Sequence, residues 1–180
     1  MINPACTGMN GESGMPKIKS NFRYDIVPAD VSRVKEIVES TGFFSAEEVN
    51  IAVELANERL QKGGDSGYHF IFAEYNNCVI GYTCFGPIPA TKFSYDLYWI
   101  VVHADFQLSG IGGELMRKSE DAIAKRGGRR IYVDTSSREQ YEPTRRFYRK
   151  SGYKEETVLK DFYSPGDSKV IFSKEIGPPF

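Results

Sequence analysis

The chain has 180 residues, 23 basic and 24 acidic side chains, and a formal net charge of −1. One domain of that size buries roughly two-thirds of its unfolded surface, so neither a disulfide framework nor a structural metal is required to hold it together. The near-zero charge removes the electrostatic case for nucleic acid or an anionic membrane as the main partner, and any anion site must be local.

In chain order, residues 1–20 are rich in Gly, Ser, Asn and Pro, lack an apolar signal-peptide stretch, and read as a tail in which Met9 or Met15 are alternative starts. The folded domain is expected over 21–176, followed by a short tail over 177–180. Phe22–Val27 reads as a first strand ended by Pro28, and Asp30 as the N-cap of a helix with Val34, Ile37 and Val38 on its apolar face. Ser45 with Glu48 three residues later forms a capping box for a second helix, buried along Val49, Ala52, Val53, Ala56 and Leu60 and stopped by Gly63 and Gly64. His69–Tyr75 and Val79–Phe85 read as a hairpin turned at Asn76-Asn77, because Asn tolerates positive φ. The Gly86–Pro89 stretch breaks the pattern before an aromatic, β-branched strand over Tyr95–Val102. A helix from about Gly110 to Arg126 is closed by Gly127-Gly128, and a strand over Arg129–Thr135 follows. Pro143 suits the first turn of a helix over Glu142–Lys150, after which Tyr153–Phe162 and Lys169–Lys174 make a last strand pair. The order β-α-α-β-β-β-α-β-α-β-β implies an α/β (α+β) fold with a mixed, mostly antiparallel sheet flanked by helices, and one parallel crossover at the strand–helix–strand around Gly110. No apolar run approaches the ~20 residues of a membrane helix. The three cysteines, Cys6, Cys78 and Cys84, form no C-x-x-C pair, and with two histidines a zinc site is not expected; reduced thiols in a cytoplasm are the simplest reading.

The most informative stretch runs from Trp99 to Leu115, where a strand leads through a glycine-containing turn into a helix. A helix start presents amides without carbonyl partners and the positive end of the helix dipole. Gly110, Gly112 and Gly113 remove side chains there, so a phosphate can approach the amides closely. No basic side chain lies within 100–116, so the backbone must carry any charge recognition. The P-loop pattern fails because Arg117 stands at its second glycine, and the dinucleotide fingerprint fails because Leu115 stands at its third. From the glycines alone, a tight strand–helix connection accounts for the pattern equally well.

Gln107-Leu-Ser-Gly110-Ile-Gly112 resembles the Q/R-x-x-G-x-G/A motif of the GNAT acetyltransferases, and Thr144 through Tyr153 resembles that family's later A-x-x-[LF]-Y-x-K-x-G-[FY] segment. The resemblance covers about residues 22–175 and is strongest over 95–155. It implies the GNAT acyl-CoA N-acyltransferase fold and acetyl-CoA as cosubstrate, with no metal. It further implies that the amides of Gln107, Leu108, Ser109, Gly110, Ile111, Gly112 and Gly113 bind the pyrophosphate, and that the backbone of Ile100 and Val102 pairs with the pantetheine arm. Tyr141 stands where the family often has an Asn beside the pantetheine, Thr144 replaces a common Ala, and Ala104 a frequent Pro.

The implied chemistry is attack of a neutral amine on a thioester. The Val102 amide is the expected oxyanion donor, worth about 3 kcal/mol by comparison with other enzymes. Tyr148 is the expected acid for the leaving thiolate, against the alternative of a tyrosine packed beside Phe147. Asp96 shares a strand face with Tyr98, Ile100 and Val102 by period-two alternation and resembles in position a catalytic Glu of some family members; its other reading is an exposed strand-end carboxylate. Glu74 and His103 are weaker base candidates, and ordered water is the alternative to any side chain. Phe43, Phe44, Phe85, Phe93, Tyr95, Tyr98 and Tyr141 are candidates for the acceptor pocket. Arg138, Arg145 and Arg146 are candidates for an anion grip, with a solvated helix face as the alternative for Arg145 and Arg146, and Cys84 reads as a buried apolar residue. The expected function is transfer of acetyl from acetyl-CoA to a primary amine of a small molecule, an amino acid or short peptide, in the cytoplasm, with a homodimer left open. The alternatives are acetylation of a protein N-terminus or lysine, and an acyl-CoA-binding sensor without turnover.

Overall fold

A computed structural model describes residues 19–177, so the tail readings of 1–18 and 178–180, and Cys6 with them, lie outside the described residues. The elements are β1 (Asn21–Arg23), α1 (Pro28–Ser40), α2 (Ala46–Lys62), β2 (His69–Tyr75), β3 (Cys78–Pro87), β4 (Ser94–Val102), α3 (Ile111–Lys125), β5 (Arg130–Ser136), α4 (Glu142–Lys150), β6 (Lys154–Ser164) and β7 (Asp167–Glu175). The expected order is borne out, and the sheet has seven strands in the order β1-β2-β3-β4-β5-β7-β6. Contacts divide the chain into two compact units. One is the chain up to Phe85 with Trp99–Ser119; the other is Gly86–Tyr98 with the chain from Glu120 onward.

In the first unit β1, β2 and β3 pair antiparallel in succession. The β2–β3 turn is made by Asn76 and Asn77 at φ 49 and 60, the left-handed conformation that asparagine tolerates. Phe70 and Phe72 of β2 and Tyr82 and Cys84 of β3 alternate onto one face and pack against Val34, Ile37 and Val38 of α1 and Val49, Ala52 and Ala56 of α2. Each fully buried side chain of this kind contributes about 1.5–3 kcal/mol relative to exposure. The Ser45 capping box is present: Ser45 Oγ accepts from Glu48 N, and a Glu48 carboxylate oxygen accepts from Ser45 N at 2.7 Å.

Two expectations are corrected here. The first strand ends at Arg23, and Asp30 is not the N-cap of α1. Pro28 opens the helix instead, since its fixed φ suits a first turn and its missing N–H loses nothing there. Asp30, one turn in and buried, reaches back to accept from Val27 N at 2.7 Å and holds the Arg23 guanidinium through two 2.8 Å contacts. Of the cysteines, Cys84 is free and buried.

In the second unit β4 pairs parallel with β5 over Ser94–Asp96 against Arg130–Tyr132. β7 pairs antiparallel with β5 on one side and with β6 on the other. Ile131, Val133, Val170 and Phe172 are buried on one face, and Tyr148 of α4 packs against both Phe172 and Tyr153, which lies just beyond the helix. Gly127 at φ 84 ends α3, and Gly128 lies so close to the Tyr95 ring that a Cβ there would come within 2.8 Å of it.

Candidate active site

The turn lies wholly in the first unit. β4 reaches Val102, and the His103 amide donates to Ile80 O of β3 at 2.9 Å. The chain then makes a short 3₁₀ turn over Ala104–Phe106, tied to α1 by a 3.1 Å hydrogen bond from Ala104 N to Ser40 Oγ. Leu108 at φ 63 is fully exposed, and Gly110 stands at φ 90. Between them Ser109 is buried and its hydroxyl donates to Phe106 O at 2.6 Å, which locks the inner wall of the turn. Gln107 Nε2 donates to Val102 O at 3.4 Å. In α3 Glu114 N takes the Gly110 carbonyl at 3.2 Å. Helix geometry therefore leaves the amides of Ile111, Gly112 and Gly113 without an intrahelical acceptor at the positive end of a 15-residue helix. A Cβ at Gly110 or Gly113 would meet nothing within 4 Å, so a ligand can come close to the backbone there. Ile100 and Val102, the two strand positions expected to meet the pantetheine, belong to the same unit.

Asp96, Tyr141 and Tyr148 lie in the second unit. Asp96 is half-buried opposite Tyr132 on β5. Burial, with the Asp134 carboxylate adding to it and Lys169 opposing, pushes the Asp96 carboxyl up to about 6, where it titrates close to neutrality. Tyr148 is buried, with ring centroids 5.7 Å from Phe172, 5.8 Å from Phe147 and 6.1 Å from Tyr153. Burial first and then the Asp134 charge raise its phenol pKa well above the ordinary value, so the hydroxyl keeps its proton at any working pH. Tyr141 is buried at the end of a 3₁₀ turn over Glu139–Tyr141, with the Arg138 guanidinium 5.4 Å above its ring.

Other candidates take structural roles. Glu74 holds Arg23 Nε at 2.8 Å. Burial and then Arg33 lower the His103 pKa, so the imidazole is neutral at pH 7 and its Nδ1 accepts the Asp105 amide at 3.3 Å, capping the 3₁₀ turn. Phe85 and Tyr95 are core, Phe44 packs tilted against Trp99 with ring centroids 5.1 Å apart, and Phe43, Phe93 and Tyr98 are exposed. Arg146 is exposed and pairs with Glu142. Arg145 is neither a grip nor a solvated residue. It is buried, and its Nη1 donates to Ser136 O at 2.6 Å and Arg138 O at 3.0 Å, so a charged side chain fastens the β5–α4 loop. Ser136 Oγ in turn donates to buried Asp167 at 2.5 Å. The acidic and basic residues beside Asp96, Asp134 and Lys169, escaped the sequence reading. Period-two alternation from Tyr132 would have placed Asp134 on one face of β5, but nothing in the sequence tells which strand faces it. Among the described residues no group of His, Cys, Asp or Glu is placed to hold a metal ion, and no helix is long and apolar enough to cross a membrane.

The family model described as "Acetyltransferase (GNAT) family" matches residues 34–153. A solved structure from Desulfovibrio desulfuricans, assigned to the GNAT family of acetyltransferases, is 44% identical with a TM-score of 0.87, over 88% of this chain and 100% of that one. An aminoglycoside 6′-N-acetyltransferase in complex with coenzyme A shares the fold at a TM-score of 0.71 and 18% identity, over 89% of this chain and 99% of that one. The ribosomal-protein-S18-alanine N-acetyltransferase from Escherichia coli does so at 0.70 and 15%, over 90% and 97%. No curated protein matches the chain in sequence.

Proposed function

This chain belongs to the GNAT family of acetyltransferases, and from that premise we propose that it transfers the acetyl group of acetyl-CoA to a primary amine of a small molecule. The observation that carries the cosubstrate half is the start of α3: amides of Ile111, Gly112 and Gly113 with no helical partner, reached through a turn with left-handed Leu108 and Gly110 and no basic side chain within 100–116. A diphosphate suits such a site because main-chain donors and the helix dipole supply the positive potential. Gln107, Ser109 and Gly110 shape the turn, and the Ile100 and Val102 backbones lie beyond the Ser94–Asp96 ladder with β5, which fits their assignment to the pantetheine arm. Tyr141 is assigned to the cofactor as well, in the place of the family's Asn. Residues 21–176 are taken as the acetyltransferase domain.

The reaction needs four events. The amine nitrogen bonds to the thioester carbon, and the carbonyl oxygen gains charge, which the Val102 amide stabilises. The C–S bond then breaks. The amine proton passes to the Asp96 carboxylate, which is largely ionised above pH 6 and close enough to neutrality to accept and later release it. The departing sulfur takes a hydrogen bond from Tyr148, whose raised phenol pKa favours donation of a hydrogen bond over full loss of the proton.

Relatives of the same fold include enzymes named for aminoglycosides and for a ribosomal protein, so the acceptor is a separate question from the chemistry. A small acceptor accords with the net charge of −1, which offers no field for steering a basic ribosomal protein. The test is thiol release from acetyl-CoA against amino acids, polyamines, aminoglycosides and peptides with free N-termini. Turnover with a small amine supports the reading. Turnover confined to protein or peptide substrates replaces it, and coenzyme binding without thiol release from any amine identifies a sensor.

A further inference from the structure

Resting on the assignment of Asp96 as the base, we propose that Asp134 and Lys169 are its positioning residues: an oppositely charged pair beside it on one sheet face that sets how readily its carboxylate takes up and releases the acceptor's proton. Asp96 stands opposite Tyr132 across the parallel ladder, so the two side chains leave the sheet on the same face. Asp134, two residues further along β5, shares that face and lies diagonal to Asp96, at the roughly 7 Å typical of such neighbours. Asp134 pairs in register with Ile171 of β7, and Lys169, two residues before Ile171, shares the face again. Lys169 Nζ closes an ion pair on Asp134 Oδ2 and lies 4.9 Å from the Phe162 ring centroid. The Lys169 side chain is 21% exposed and that of Asp134 36%, so their fields are only partly screened by water.

The other groups around Asp96 are quieter. From β5, Arg130 on the same face is engaged by Glu175 and Glu156, and Tyr132 is the residue directly opposite. The nearby end of β3, Gly86-Pro87, has no titratable side chain, and Tyr98 is the next residue on that face of β4. The two charges acting on Asp96 therefore come from one pair and have opposite signs: Asp134 disfavours the carboxylate and Lys169 favours it, on top of burial. Without Lys169, two carboxylates would face each other across neighbouring strands, and a larger share of Asp96 would be protonated at neutral pH.

The experiment is a ¹³C carboxyl NMR titration of the full chain without ligand, with Asp96→Asn identifying the resonance. Lys169→Met should raise the Asp96 midpoint and Asp134→Asn should lower it, each by about half a pH unit or more. Lys169→Arg, which keeps the charge, should leave it in place. A merely structural pair would not move the midpoint in opposite directions. Midpoints that stay put, move the same way, or shift equally in Lys169→Arg overturn the proposal; if Lys169→Met does not fold, Asp134→Asn and Lys169→Arg decide it. The base assignment fails separately, if Asp96→Asn releases thiol from acetyl-CoA with the amine panel as fast as the parent.

Discussion

Tyr148 was legible as a functional candidate because the motif around it fixed its register, but its environment was not. The structure packs it among Phe147, Tyr153 and Phe172 and lifts its phenol pKa, which in the proposed mechanism favours a hydrogen-bond donor over a proton donor. Tyr148→Phe is therefore expected to lower kcat by roughly 100-fold while coenzyme affinity, read by calorimetry, changes less than about 3-fold. Equal turnover would remove Tyr148 from the mechanism and leave it as packing. Asp96 illustrates the opposite balance. Its folded pKa of about 6 lies above the ordinary carboxylate value of about 3.9, so the folded chain binds this proton more readily than the unfolded one. The stability it contributes is full below the unfolded pKa and is lost as pH rises from about 4 through about 6. After solvent screening of a half-buried group the loss is of order 1 kcal/mol. Urea unfolding should find Asp96→Asn more stable than the parent at pH 7.5 and no more stable at pH 4, and a less stable variant at pH 7.5 would mean that the charge has a partner. Arg145 was misjudged from sequence, since besides the Glu142 carboxylate its acceptors are two backbone carbonyls, which no side-chain pattern reveals.

The elements themselves were largely readable. The α2 capping box, the Asn76-Asn77 turn, the α4 start at Glu142-Pro143 and the glycine stop after α3 all follow from local chemistry that the chain carries with it. The start of α1 was not, because both Pro28 and Asp30 are good first-turn residues and only the contact of Asp30 with Arg23 shows which takes which place. Contacts between elements were equally hidden. Gly81 of β3 gave no local signal, yet a Cβ there would stand 2.9 Å from Val101 O of β4, 3.2 Å from Val102 Cγ2 and 3.3 Å from Leu115 Cδ1 of α3. The carbonyl cannot yield without moving the end of β4. Gly81→Ala is expected to cost about 1–3 kcal/mol in chemical denaturation and to weaken coenzyme binding with it, since Val102 is displaced. Parent-like stability would show that β4 accommodates the methyl group.

At the scale of the whole molecule, a ligand that binds only the folded chain stabilises it by mass action. Coenzyme A at 100 times its Kd should add about 2.7 kcal/mol, a rise in Tm of roughly 5–10 °C for a chain of this length. In Gly112→Asp, a carboxylate set against the diphosphate should abolish that rise while leaving the ligand-free Tm close to the parent's. A full rise in the variant would move the pyrophosphate away from the start of α3. By itself the sequence determined the order of elements, the glycine turn before α3 and the family, because helix caps, turn residues and the motif spacing act over a few neighbouring residues. Tertiary structure alone decided that Asp134 and Lys169 stand beside Asp96 and that Arg145 is buried on backbone carbonyls. Those facts depend on strand register and on distances that only folding sets, and electrostatic partnerships are set by separation in space, which residue order does not encode locally.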